Sequence, residues 1–146
     1  EMARELILEN QSRESEILPW RDHQRFGLDL FARQVEQYQQ AQASQVNFFD
    51  RGILDNLAYL RRDGLKNPKL EAQALEYPYH RQVFLTPPWR EIYGNDEVRW
   101  EDFDTMLDIH RALKGIYLDF GYRIVEVPKG SPEDRGIFVL EQLRQG

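Results

Sequence analysis

Val46-Asn47-Phe48-Phe49-Asp50-Arg51-Gly52, running on into Ile53-Leu54-Asp55-Asn56-Leu57-Ala58-Tyr59-Leu60, is the stretch on which the fold turns. A short, mostly apolar run stops abruptly at an acid, an arginine and a glycine. That pattern predicts a buried strand that delivers two charges at its carboxyl end. The residues from Leu54 to Arg62 then predict a helix, stopped by Gly64. A strand that feeds directly into a helix is the unit from which parallel sheets with right-handed crossovers are assembled.

The alternation recurs downstream. Asn67-Pro68 opens a short helix through Leu75, and Val83-Phe84-Leu85 reads as a second strand, cut off by Pro87-Pro88. Trp89 to Trp100 is polar, aromatic and rich in both charges, which suits an excursion over the surface. Phe103, Met106, Leu107, Leu113, Tyr117 and Phe120 mark a long amphipathic helix ended by Gly121. Tyr122 to Val127 is a third strand. Ser131-Pro132-Glu133-Asp134 combines an N-cap, a first-turn proline and two acids, so a last helix starts there, with Ile137, Leu140 and Leu143 inward.

Upstream, Glu1 to Glu9 is already helical in pattern, and Ile17-Leu18-Pro19-Trp20 is a connector broken by proline. Asp22 is the N-cap of a helix to about Ala43, with Phe26, Leu30, Phe31, Val35 and Tyr38 on its apolar face. Arg25, Arg33, Glu36 and Gln40 suit solvent. The order α-α-β-α-α-β-α-β-α predicts an α/β fold, a parallel sheet with helices on both faces, in one domain over residues 1–146. Three short strands make a thin sheet for so many helices. The expectation is a chain that starts in mid-domain, with a βαβ unit of about 30 residues or more upstream.

Composition narrows the function. The 146 residues are 41% hydrophobic and 30% charged, which is ordinary for a folded protein. A net charge of −6 disfavours non-specific grip on nucleic acid or anionic lipid. The absence of cysteine excludes disulfides, thiolate zinc sites and a cysteine nucleophile, and fits a cytoplasmic location. No apolar run approaches the roughly 18 residues of a membrane span.

Ligands of open parallel sheets bind beyond the carboxyl ends of the strands. Here those ends are Asp50-Arg51-Gly52, Thr86-Pro87-Pro88-Trp89-Arg90 and Pro128-Lys129-Gly130. A carboxylate at such an end can hold a magnesium-bound water or orient a nucleophile, and a guanidinium can pair with phosphate oxygens. The structural alternative has Asp50 capping the next helix and Arg51 in a surface ion pair. Arg90 and Arg99 flank Glu91, Asp96 and Glu97, as lid arginines over a phosphate do, or as a loop whose charges pair with each other. Glu1 and Arg4 share a helix face, near the ligand edge if a strand precedes them and otherwise an i,i+3 pair. His23, His80 and His110 show no metal-ligand spacing and suit surface or half-buried positions.

The succession EMARELI, LPWRD, FFDRG followed by LDNLAYL, VFLTPPWREIYGND and YRIVEVPKGSPEDR resembles the NadR-like family of AAA-type P-loop ATPase domains. That family is kinase-like in fold and includes a nicotinamide riboside kinase domain. The resemblance runs over nearly the whole chain. It implies a five-stranded parallel sheet, with the strands at Val46, Val83 and Tyr122 third, fourth and fifth. The first strand would lie between the third and fourth, so those at Val46 and Val83 should not pair directly. It also implies a GxxxxGK[ST] loop upstream of Glu1, since none occurs within the 146 residues.

By the same resemblance Asp50 and Arg51 are the catalytic pair, with Asp50 also at Mg2+. Glu1 and Arg4 lie on the acceptor-side helix, Arg90 and Arg99 on a lid over nucleotide, and Pro128 and Lys129 beside the base. The implied ligands are ATP or GTP with Mg2+, and a small-molecule acceptor that the family leaves open, nicotinamide riboside among the candidates. Beside an ATPase with kinase-like phosphoryl transfer stands another class, a nucleotide-dependent regulatory or binding module with slow or no hydrolysis.

Overall fold

The computed structural model describes residues 2–92, 94 and 102–145. Glu1 and Arg99 lie outside the described residues, as does most of the sequence predicted to form a lid.

Local signals place most elements. Helix α1 (Met2–Ser12) precedes α2 (His23–Gln39), whose cap is Asp22, its carboxylate accepting from the Arg25 amide. Helix α3 (Ile53–Arg62) ends ahead of Gly64, which takes a φ of +75° that glycine adopts freely. Asn67 caps α4 (Pro68–Ala74) through the Leu70 amide. Strand β1 (Gln82–Leu85) follows, then a 3-10 turn (Arg90–Ile92), α5 (Phe103–Asp119), β2 (Arg123–Glu126) and α6 (Pro132–Gln145). The Ser131 hydroxyl accepts from the Asp134 amide, the N-cap expected from the Ser-Pro-Glu-Asp run. No helix among the described residues is long and apolar enough to cross a membrane.

Strands β1 and β2 pair in parallel, Gln82 opposite Arg123 and Leu85 opposite Glu126, and the Val127 amide extends the ladder to the Leu85 carbonyl. The chain between them climbs through α5, as a parallel crossover requires. Helix α3 is the centre of the main core. Ile53, Leu54, Leu57, Ala58 and Leu60 are buried, packed on Phe31 and Val35 of α2 and on Ile109, Leu113, Ile116 and Tyr117 of α5. Asn56, buried on α3, donates to the Gly27 carbonyl and so fixes α3 against α2. A smaller cluster of Leu6, Ile7, Leu18, Phe26 and Leu30 joins α1 to α2. Arg33, read from sequence as a solvent residue, forks onto Glu9 of α1 at 3.1 and 2.6 Å.

Two expectations fail. Val46–Phe49 is not a strand: it belongs to no ladder among the described residues, and Val46 and Phe48 are 70% and 64% exposed. Apolar content alone does not make a strand, because its amides and carbonyls need a partner on at least one side. The stretch does not pair with β1, and among the described residues the sheet is the two strands β1 and β2. Helix α6 likewise buries none of its residues fully, and Ile137 and Leu140 stand about half exposed.

At the far end of α3, Arg61 bridges Glu71 of α4 at 2.8 Å and Asp119 of α5 at 2.9 Å. The hydrogen bond from Arg61 holds the Glu71 carboxyl below its ordinary value of 4.5, against the opposing effect of burial. A carboxyl depressed in the folded state contributes stability above its unfolded pKa and loses it as pH falls through the folded value. Glu71→Gln should therefore cost roughly 1 kcal/mol or less at pH 7 and less still at an acid pH well below 4.5. Urea unfolding of parent and variant at the two pH values checks the convergence.

Candidate functional site

An open cleft of about 1260 Å³ lies between the Val46–Gly52 segment, strand β1 and the inner faces of α5 and α6. Phe48, Phe49, Val83, Leu85, Val139 and Leu140 give it apolar walls, which accounts for the exposure of Leu140 on α6 and of Val46 and Phe48, though not for that of Ile137. Gln82 Oε1 and Arg135 Nε, both from cleft-lining residues, are buried without a hydrogen-bond partner among the described residues.

Asp50 and Arg51 both line this cleft, at the point where the chain turns into α3. The turn is built from close contacts. Phe49 stacks on Tyr38 at 6.1 Å and meets Tyr79 edge-on at 5.3 Å, which anchors the segment to the core. Arg51 takes a φ of +77°, a left-handed conformation that a side chain other than glycine's adopts at a cost. Gly52 is the N-cap of α3. Asp50, the helix cap of the structural alternative, has no part in that cap. The acid that closes the first turn is Asp55, whose Oδ1 accepts from the Gly52 amide at 3.2 Å. Asp50 is exposed.

Asp55 does more than close the turn. Its Oδ1 also accepts from the Tyr117 hydroxyl of α5 at 2.5 Å, and its Oδ2 lies 3.4 Å from Arg51 Nη1. Tyr79 receives the Ile53 amide on its hydroxyl at 3.1 Å, and its own amide donates to the Tyr122 hydroxyl. Burial pushes the Tyr79 phenol up to about 12. Burial, with the Asp55 carboxylate beside it, raises Tyr117 as well, so both stay protonated at neutral pH. A Cβ on Gly52 would stand 2.7 Å from the Tyr117 hydroxyl and 3.3 Å from the Tyr79 ring. Gly52→Ala should therefore lower stability by about 1–3 kcal/mol, because neither ring can move without breaking its hydrogen bond. Thermal denaturation measures this directly.

The remaining sequence candidates spread around the strand ends. Lys129 lies exposed after β2, 3.7 Å from Glu91 and 5.7 Å from the Trp89 ring centre, so the loops after β1 and β2 meet. Pro128 is exposed beside it. Arg90 sits 4.0 Å over the Phe103 ring and 3.5 Å from Asp104, against the start of α5 rather than in the cleft. Arg4 is exposed on α1 and does not line the cleft. His80 is exposed, and His23 and His110 are half-buried, with burial lowering the His110 pKa. Among the described residues no three His, Asp or Glu side chains gather as a metal cage. A Mg2+ carried on phosphates and water asks for no such cage, and one exposed carboxylate such as Asp50 fits it.

Three residues went unassigned in the sequence. Asp55 had a local signal, its place three residues beyond a helix-capping glycine. Tyr117 reads only as part of an apolar face, and its bond to Asp55 spans 62 positions. Arg135 follows a helix start and carries no mark that it lines the cleft.

The chain matches the model of a family described as an AAA domain, over residues 1–135. Neither a curated protein nor a solved structure matches it.

Proposed function

We propose, from the premise that this chain belongs to the AAA domain family, that the cleft is the phosphate end of a P-loop nucleotide site with kinase-like chemistry. The observation that carries the reading is the pair Asp50 and Arg51, side by side on the cleft, on a turn braced by Gly52, Asp55, Tyr79 and Tyr117. ATP or GTP would be the donor and a small molecule the acceptor, with nicotinamide riboside the first to try.

Arg51 would pair with oxygens of the transferring phosphoryl group, where a planar fork suits two oxygens at once. Asp50 would hold a water of the metal or take the proton of the attacking hydroxyl. Bound Mg2+ would supply neutralisation of phosphate charge. Lys129 and Pro128 would border the base, Arg90 and Arg99 would serve phosphate from the following loop, and Glu1 and Arg4 would face the acceptor. The glycine-rich loop that cradles phosphates is absent from the 146 residues. In this reading it follows a strand that precedes them and fills the gap between Phe48–Asp50 and β1, giving a larger parallel sheet with helices on both faces.

Titration of the intact protein with ATP and with GTP, each with and without Mg2+, tests the reading. The expected result is Mg2+-dependent binding of at least one nucleotide. ATP consumption that then depends on an added small molecule identifies a kinase. Binding of neither nucleotide would remove the proposal.

A further inference from the structure

Arg51 is held in an unfavourable backbone conformation beside a buried carboxylate, and the two facts bear on each other. A left-handed arginine persists only where its surroundings over-determine it. Here the chain on its carboxyl side is locked into the first turn of α3, and the Phe49 ring on its amino side is wedged between Tyr38 and Tyr79. The Arg51 side chain is 38% exposed, whereas that of Asp55 is 12% exposed. Both residues, and Tyr117 behind them, line the cleft, but the carboxylate is largely buried in its wall and the guanidinium is the more exposed end of the pair.

The Asp55 carboxylate has its own fixed geometry. The Tyr117 hydroxyl and the Gly52 amide converge on Oδ1, which leaves Oδ2 toward the guanidinium of Arg51. Tyr117 is buried in the α3–α5 core, so the carboxylate is aimed from a helix 62 residues away rather than from the loop itself. We infer that Asp55 is a positioning residue: oriented by Tyr117, it holds the Arg51 guanidinium at the angle at which it meets phosphate. The inference rests on the assignment of Arg51 to phosphate made above. It adds a specific division of labour, with Arg51 touching the ligand and Asp55 and Tyr117 acting only through Arg51.

The alternative role for Asp55 is structural, as the acid that closes the first turn of α3. Asp55→Asn separates the two, because the amide oxygen still accepts from Gly52 and Tyr117 while the charge opposite Arg51 is lost. Affinity of the intact protein for Mg·ATP, measured by calorimetric titration, is the readout. Arg51→Ala should weaken binding by about tenfold to a hundredfold, and Asp55→Asn by a comparable factor. In the double variant the Asp55 change should add less than about twofold, because a residue acting through Arg51 has nothing left to position. Tyr117→Phe, which keeps the ring and its packing, should weaken binding in the same direction and likewise lose its effect in the Arg51→Ala background. It also carries the test if Asp55→Asn does not fold. Wild-type affinity in Arg51→Ala would remove the phosphate assignment and the inference with it. A full Asp55→Asn or Tyr117→Phe effect persisting in the Arg51→Ala background would overturn the positioning role alone.

Discussion

Asp50→Asn in the intact protein should lower turnover by about 10²-fold or more and leave the melting temperature essentially unchanged. The first half follows from the charge. An amide cannot take a proton from an attacking hydroxyl, and it is a poor partner for a metal-bound water. The second half follows from the turn. Were Asp50 the cap of α3, asparagine would substitute for it almost without loss in stability or activity, since the two cap equally well. Gly52 is the cap, and Asp55 accepts from its amide, so Asp50 is not needed for the helix. Its exposed carboxylate stands on the cleft beside Arg51. Steady-state rates and a thermal melt on the same preparation separate the two roles. Undiminished turnover would leave Asp50 without an assigned function.

The contrast between Asp50 and Asp55 shows what a sequence can and cannot disclose. Features set within a few residues were legible. Asp22 and Ser131 cap helices as read, and Gly64 and Gly121 take the positive φ angles that end α3 and α5. The alternation that predicts parallel pairing was legible too, and β1 and β2 pair in parallel around α5. Features that depend on a distant partner were not. Phe48 and Leu140 carry the pattern of buried residues, yet burial is decided by what lies opposite, and opposite them is the cleft. The site divides along the same line. The Asp-Arg-Gly tripeptide drew attention because two charges end an apolar run. Asp55 drew none, for its meaning depends on a tyrosine reached only through the packing of α5 on α3.

Leu57→Ala should cost about 2–5 kcal/mol, a substantial fraction of the stability of a domain this size. Leu57 is 2% exposed at the junction of α2, α3 and α5. Both faces of the void left there are helical, and helices pinned by the Asn56–Gly27 bond and the Arg61 bridges cannot close on it. Phe48 makes the opposite forecast on the same scale. At its exposure in this structure Phe48→Ala should change stability by under about 0.5 kcal/mol, as surface substitutions do. If a strand fills the gap between Phe48–Asp50 and β1 in the intact protein, the ring is covered there. The same substitution should then cost about 3–5 kcal/mol. Denaturant unfolding of the intact protein carrying each change in turn gives the comparison. Similar losses for Leu57→Ala and Phe48→Ala place a strand in the cleft. A large loss for Leu57→Ala beside a negligible one for Phe48→Ala leaves the cleft open and removes the strand proposed to fill it.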